Sequence, residues 1–134
     1  MPTVTGLHHV SLTVRDLQRS IEWYCQLLGL TKVIEEPHPD GSGFGVVLAD
    51  PQFKLVIGLH SHTANPGDLF SEARTGLDHA SIGVPDQSEL IEWQRHLEER
   101  GVPHSRINHA AYGSVLVFRD PDNVQLEFFA LPSR

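Results

Sequence analysis

The sequence predicts an α+β fold made of two tandem βαβββ modules, and three observations support this prediction. The stretch "TGLHHVSLTVRD" at residues 5–16 returns in altered form as "TGLDHASIGVPD" at residues 75–86. At the same offset of 70 residues "SIEWY" returns as "LIEWQ", and the dipeptide Asp-Pro at residue 50 returns at residue 120. A constant offset that spans a strand, a helix and a turn indicates a duplicated structural unit.

The first module is predicted over residues 5–60. Its opening strand "HVSLTV" alternates polar and apolar residues, the period of two that is typical of a strand with one apolar face. Asp16 is suited to cap the helix that follows, and Gly29 is suited to end it. Three further strands are predicted at "TKVIEE", "GFGVVLA" and "KLVIGLH", separated by the turn signals "PHPDGSG" and "DPQ".

The second module is predicted over residues 75–131 and repeats this order. The strand "HASIGV" leads into a helix predicted over residues 87–99. Asp86 and Glu89 have the spacing of a capping box at the start of this helix, and Gly101 ends it. Three further strands are predicted, near residues 104–108, 114–118 and 124–130.

Length and composition restrict the classes of function. The 134 residues suffice for one domain of ordinary size, predicted over residues 1–134 with a polar connector at residues 61–74. A net charge of −7, with only 10 scattered Lys and Arg residues, excludes the basic patch of a nucleic-acid-binding protein. No apolar run approaches the ~20 residues that cross a bilayer, and the single cysteine agrees with a reducing compartment. The sequence therefore predicts a cytoplasmic protein with neither a membrane nor a nucleic-acid partner.

Strand alternation places two histidines on the same side of their strands. The apolar residues of each opening strand face the helix, so His9 and Ser11, like His79 and Ser81, face the other way. Near the C-terminus, Glu127 lies in the otherwise apolar strand "NVQLEFFA", where a carboxylate is costly to bury unless it is paired or binds a metal. If the two sheets curve towards each other, His9, His79 and Glu127 meet in one cleft and can bind Fe(II), Mn(II), Zn(II) or a similar ion.

Each histidine also has a simpler interpretation. A single histidine on a strand is more commonly a hydrogen-bonded or exposed residue than a metal ligand, but its recurrence at one repeat position favours the metal. His60 closes the strand "KLVIGLH" and is a candidate fourth ligand, a candidate general base, or merely a strand-end residue. His38, in a Pro-rich turn, and His96, on the second helix, are interpreted as structural residues.

Three motifs resemble one known family. "HVSLTVRDLQRSIEWYCQLLGL" resembles the opening βα unit of the vicinal oxygen chelate superfamily, "GLDHASIGVPD" its second-module strand, and "VFRDPDNVQLEFF" its closing hairpin. The superfamily includes glyoxalase I, extradiol dioxygenases, fosfomycin-resistance thiol transferases and bleomycin-binding resistance proteins. The resemblance covers nearly the whole chain. It implies the glyoxalase-like fold, a curved mixed sheet around a central cleft, with His9, His79 and Glu127 as metal ligands.

The resemblance also implies a function. The residue that matches the family's fourth ligand is Gly58, which offers no side chain, so the three remaining ligands are similar to those of the extradiol dioxygenases. This implies a metal-dependent enzyme of the glyoxalase/dioxygenase type, a lyase, isomerase or oxidoreductase. In it a divalent ion (Fe(II), Mn, Zn or Ni) chelates a small oxygen-rich substrate. The alternative is a resistance or carrier protein, similar to the bleomycin-binding branch, that binds a small molecule without turnover.

Further side chains are candidates for contact with the substrate. His60 is the candidate for proton transfer, and Glu127 is assigned to the catalytic group as well as to the metal. The predicted substrate-binding residues are Ser11, Ser81, Tyr112, Gln125 and Phe129. Because members of the family commonly pair, a homodimer is expected, with the ligands meeting within one chain or across the interface.

Overall fold

A four-stranded mixed sheet with one helix is built twice along the chain. The structure is a computed structural model that describes residues 1–133. It divides the chain into two compact units, Met1–Asp68 and a second that begins at Leu69. Each unit holds one βαβββ module, which confirms the α+β class and the element order predicted from the repeat.

The first module forms a sheet of order β1-β4-β3-β2. In it β1 runs parallel to β4, and the other neighbours are antiparallel. The last strand continues to His62, two residues beyond the end predicted for the module. The elements are β1 (Val10–Thr13), α1 (Leu17–Leu28), β2 (Thr31–Pro37), β3 (Gly43–Ala49) and β4 (Val56–His62).

The predicted limits of α1 are confirmed. The Asp16 carboxylate accepts a hydrogen bond from the Arg19 backbone N–H at 3.1 Å, which satisfies one of the free donors of the first turn. Gly29 ends the helix with φ 68°, a conformation that costs glycine little. Ile21 and Tyr24 on one stripe of the helix are buried, so α1 covers one face of the sheet and leaves the other face for the polar residues of β1.

The second module forms a sheet of order β5-β8-β7-β6, with β5 parallel to β8. Asp86 caps its helix by accepting from the Glu89 backbone N–H at 3.0 Å, as predicted. Gly101, which follows the helix, adopts φ 66°. The elements are β5 (Ala80–Gly83), α2 (Gln87–Glu99), β6 (Asn108–Ala110), β7 (Gly113–Arg119) and β8 (Gln125–Ala130).

One predicted strand is placed wrongly. The strand expected near residues 104–108 is replaced by an isolated bridge between His104 and Phe118, and β6 begins only at Asn108. The Ser105 hydroxyl accepts the backbone N–H of Val117 at 3.0 Å, so a side chain takes the bond that a continuous ladder would give to a carbonyl.

The core of the second module lies between α2 and its sheet. Leu90 and Leu97 of α2 are fully buried, and Trp93 stacks on Phe128 with ring centroids 4.3 Å apart. Because side chains alternate along β8, burial of Phe128 on the helix side turns Glu127 to the opposite face. Of the helices found among residues 1–133, neither is long and apolar enough to cross a membrane.

Candidate metal-binding pocket

An open pocket of about 510 Å³ lies on the face of the second sheet that α2 leaves uncovered. Strand register brings its residues together, because Ser81 of β5 pairs with Glu127 of β8, and Val115 of β7 pairs with Phe129. The pocket is lined by His79, Ser81, Tyr112, Val115, Glu127 and Phe129. Five of these six residues were predicted as site residues from the sequence.

Two groups in this pocket face each other as neighbouring ligands would. His79 Nε2 and Glu127 Oε1 are 3.2 Å apart, and the Glu127 side chain is only 14% exposed. The Ser81 hydroxyl donates to the other carboxylate oxygen, Oε2, at 3.0 Å. Glu127 is therefore held in one orientation by Ser81, with Oε1 directed at the imidazole.

A second carboxylate fixes the imidazole from behind. His79 Nδ1 lies 2.7 Å from Asp78 Oδ1, and a carboxylate can only accept, so we assign the ring proton to Nδ1. Gln125 does not line the pocket; its Nε2 donates to the Asp78 carbonyl at 3.1 Å and to Oδ1 at 3.3 Å. Nδ1–H bound to a carboxylate is the usual arrangement of a metal-binding histidine.

The resulting geometry fits a cation. With the proton on Nδ1, the Nε2 lone pair of His79 faces a carboxylate oxygen, and two acceptors at this distance need a proton or a metal ion between them. Two ligands bound to one ion at their usual lengths, with an angle between 90° and 110°, are about 2.9–3.4 Å apart. The observed 3.2 Å lies within this range.

Aromatic side chains form the apolar wall of the pocket. Tyr112 stacks on Phe129, with ring centroids 6.2 Å apart and an angle of 12° between the rings. The Tyr112 side chain is exposed, so its ring face and hydroxyl are accessible to a ligand. The pocket therefore combines a flat aromatic wall with the polar pair His79 and Glu127.

The first module carries a related but incomplete arrangement. His9 directly precedes β1, as His79 directly precedes β5. Ser11 pairs with Gly58, as Ser81 pairs with Glu127, so Gly58 is the structural equivalent of the carboxylate, as expected. A Cβ at Gly58 would collide with the Ser11 hydroxyl, so a larger residue there would displace the Ser11 side chain. His9 itself is exposed, and its Nδ1 is 2.8 Å from Nδ1 of His8.

His60 lies in a histidine cluster that the sequence interpretation missed. Its Nδ1 is 3.0 Å from Nε2 of His38, and a ligand atom of His62 is also close. Partial burial lowers the pKa of His60, and His38, His62 and His9 lower it further. The signal available in the sequence was the alternation His-Ser-His at residues 60–62, which places both imidazoles on one face of a strand.

These features define the class of protein: a pair of βαβββ modules, of which the second carries an open pocket lined by an imidazole and a carboxylate. The chain belongs to the Glyoxalase/Bleomycin resistance protein/Dioxygenase superfamily, whose family model matches residues 6–128. A domain of this superfamily from Frankia sp. EAN1pec has a crystal structure that superposes with a TM-score of 0.87 at 32% identity, over 98% of this chain and 95% of that one. The resemblance stated from the motifs and the glyoxalase-like fold are thereby confirmed.

Two proteins of Bacillus subtilis (strain 168) are also similar. MhqA, named as a ring-cleaving dioxygenase, is 31% identical over 92% of this chain, and a catechol-2,3-dioxygenase is 30% identical over 94% of it. The chain spans 39% and 41% of the lengths of these two relatives.

Proposed function

We propose that the chain is a metal-dependent dioxygenase that opens the ring of a small aromatic ortho-diol with molecular oxygen. The observation that carries the proposal is the pair His79 Nε2 and Glu127 Oε1, 3.2 Å apart, with the imidazole oriented by Asp78. The names of the two Bacillus subtilis relatives and the lack of a side chain at Gly58 favour ring cleavage over isomerisation.

The proposed ligand set is His79, Glu127 and His9. His9 is included because it precedes β1 as His79 precedes β5, and the third donor comes from this chain or from a second copy in a homodimer. Two imidazoles and one carboxylate suit Fe(II) in an oxygenase, and also accept Mn, Zn or Ni. When bound, such an ion supplies a Lewis acid for two neighbouring substrate oxygens.

The remaining side chains have proposed functions that follow from their contacts. Asp78 fixes the tautomer of His79, and Ser81 fixes Glu127. Tyr112 and Phe129 offer a flat surface against which an aromatic ring can pack. Gln125, predicted to bind substrate, is proposed to position Asp78, since both of its donor contacts go to that residue.

Two further predicted site residues come from the first module. His60 is proposed to accept a proton from a substrate hydroxyl. Ser11 keeps its proposed place near the substrate, at the position equivalent to Ser81.

The test combines metal analysis with oxygen uptake. Protein prepared without a tag and reconstituted with Fe(II) under anaerobic conditions is mixed with catechol and oxygen, and a ring-opened product is expected. His79→Ala and Glu127→Gln should each lower turnover by at least about 100-fold, because the first removes a direct ligand and the second removes the negative charge of another. His96→Ala, a half-buried histidine on α2, is the matched control and should behave as the wild type.

Three results would contradict the proposal. A wild-type protein that binds no divalent ion at this pocket, and in which His79→Ala leaves ligand binding unchanged, would favour the carrier without turnover. Isomerisation of a hemithioacetal without oxygen uptake would move the chain to the glyoxalase type. Equal activity of wild type and Glu127→Gln would remove the carboxylate from the mechanism.

A further inference from the structure

The first module holds three histidines whose ring nitrogens converge. His38 follows β2, and His60 and His62 belong to β4. One ligand atom from each lies within 4.8 Å of the others. His38 and His60 are half-buried, whereas His62 is exposed, so the cluster lies at the edge of the packed sheet with one side open to water.

The register of the sheet explains why these residues meet. His38 donates its backbone N–H to the carbonyl of Gly43 at 2.8 Å, and Gly43 pairs with His62 on the other side of β3. Gly45 pairs in the same way with His60. His38 thus approaches β3 from the side of β2, and His60 and His62 approach it from the side of β4. The positions of β3 that they face, Gly43 and Gly45, are two residues apart.

Glycine in β3 provides the space for these rings. A Cβ at Gly45 would lie 2.7 Å from Cε1 and 2.9 Å from Nδ1 of His60, closer than real contacts allow. The His60 ring therefore lies over β3 at a point where only a glycine leaves room. Without that gap, the His60 ring would have to leave its present position beside His38.

The distances between the rings match those of ligands around a shared ion as well as those of a hydrogen bond. His38 Nε2 and His60 Nδ1 are 3.0 Å apart, and the ring centroids of His38 and His62 are 4.7 Å apart. Two nitrogens bound to one tetrahedral zinc ion lie about 3.3 Å apart. The other nitrogen of His38, Nδ1, is 3.2 Å from the Ser42 hydroxyl, which orients the ring as a second hydrogen bond usually does for a metal ligand.

From these observations we propose that His38, His60 and His62 form a second metal site, which binds a zinc-class divalent ion and leaves at least one position open. Imidazole donors with no carboxylate favour Zn(II), Cu(II), Ni(II) or Co(II) over Mg(II) or Mn(II). The site uses none of the three proposed metal ligands, His9, His79 and Glu127, but it includes His60, the proposed proton acceptor. Occupancy would withdraw the Nδ1 lone pair of His60 from proton transfer.

The first experiment is a zinc titration of the untagged protein by calorimetry and equilibrium dialysis. The wild type should bind two equivalents. His38→Ala and His62→Ala should each lose one of them, with affinity at that site falling at least about 100-fold, since a direct ligand contributes more than its outer partner. His96→Ala is the control and should keep both equivalents.

The two proposals fail in different ways in this titration. In one case the wild type binds a single equivalent of zinc, which His38→Ala loses and His79→Ala keeps. This result would support the histidine cluster and contradict the proposed catalytic site. If His38→Ala and His62→Ala bind zinc as the wild type does, the cluster is not a metal site.

A second variant tests the cluster without removing a ligand. Gly45→Ala should displace the His60 ring and weaken zinc binding at least about 10-fold while all three histidines remain. Gly83→Ala is the matched control, because a Cβ there meets no atom within 4 Å. Circular dichroism establishes that both variants are folded, and a folded Gly45→Ala protein with unchanged zinc affinity would overturn the proposal.

Discussion

Removal of the Asp78 carboxylate is expected to weaken metal binding at the pocket without touching a ligand. Asp78 Oδ1 is 2.7 Å from His79 Nδ1, so it fixes the tautomer that leaves the Nε2 lone pair available to an ion. Loss of such an outer partner typically costs 10–100-fold in affinity. Because the Asp78 side chain is 66% exposed, water can replace it in part. We therefore expect the lower end of that range for Asp78→Ala, about 10-fold or ~1.4 kcal/mol.

The assay is a competition titration against a chromophoric chelator, carried out in a His38→Ala background so that the histidine cluster does not contribute. The metal affinity of Asp78→Asn should lie between that of Asp78→Ala and that of the His38→Ala protein without a change at Asp78. An amide oxygen still accepts a hydrogen bond from Nδ1–H of the imidazole but carries no charge. Glu98→Gln is the matched control, since Glu98 also contacts a histidine, His104, at 3.4 Å outside the pocket. Equal affinities for Asp78→Ala and Glu98→Gln would refute the assignment of Asp78 as the group that orients His79.

Two further predictions concern stability. The bidentate contact with Arg119, at 2.9 and 3.0 Å, lowers the pKa of Glu72 from 4.5 to about 2. The folded-state pKa is depressed, so the contribution of this pair to stability is present above pH 4.5 and lost as the pH falls towards 2. The Tm difference between wild type and Glu72→Gln should shrink over that interval, and a difference independent of pH would contradict the assignment. Phe128→Ala, between Trp93 and Phe118, should lower the free energy of unfolding by about 3–5 kcal/mol in urea titrations. Phe53→Ala, at a 60% exposed position, should lower the free energy of unfolding far less. Equal decreases for the two variants would contradict the argument that burial of Phe128 stabilises the fold.

The sequence was sufficient to predict the fold because the signals involved are local and occur twice. The capping residues Asp16 and Asp86 each bind the backbone of a residue three positions along the chain. The alternation of polar and apolar residues in each strand is likewise contained in a short segment of sequence. The strand expected near residues 104–108 was wrong for a non-local reason: the Ser105 hydroxyl takes a backbone bond from β7, twelve residues away. The strand propensity of residues 104–108 alone cannot predict a hydrogen bond to a distant strand.

The two candidate metal clusters differ in how much of them the sequence could predict. His79, Ser81 and Glu127 were found because parity along a strand and the register of parallel neighbours follow from the repeat. His38 was interpreted as a turn residue, because its partner His60 is 22 positions away and lies two strands across the sheet. The signal that was present, the alternation His-Ser-His at residues 60–62, indicates a cluster with His38 only once the strand order is known.

Comparison of equivalent positions in the two modules shows that the duplicated scaffold carries two different surfaces. Gly58 pairs with Ser11 as Glu127 pairs with Ser81, so Gly58 is the counterpart of Glu127. In the same way His60 pairs with Thr13 and Phe129 with Gly83, so His60 is the counterpart of Phe129. The first module thus has imidazole where the second has an aromatic wall, and no side chain where the second has a carboxylate. Gly45, which gives His60 its space, corresponds to Val115 in the second module, where the ring of Phe129 instead lies over Gly113. Since the imidazole of His60 and the glycine paired with it occur together in the first module, and Phe129 and Val115 take their places in the second, the histidine cluster is a property of the first module's own sheet.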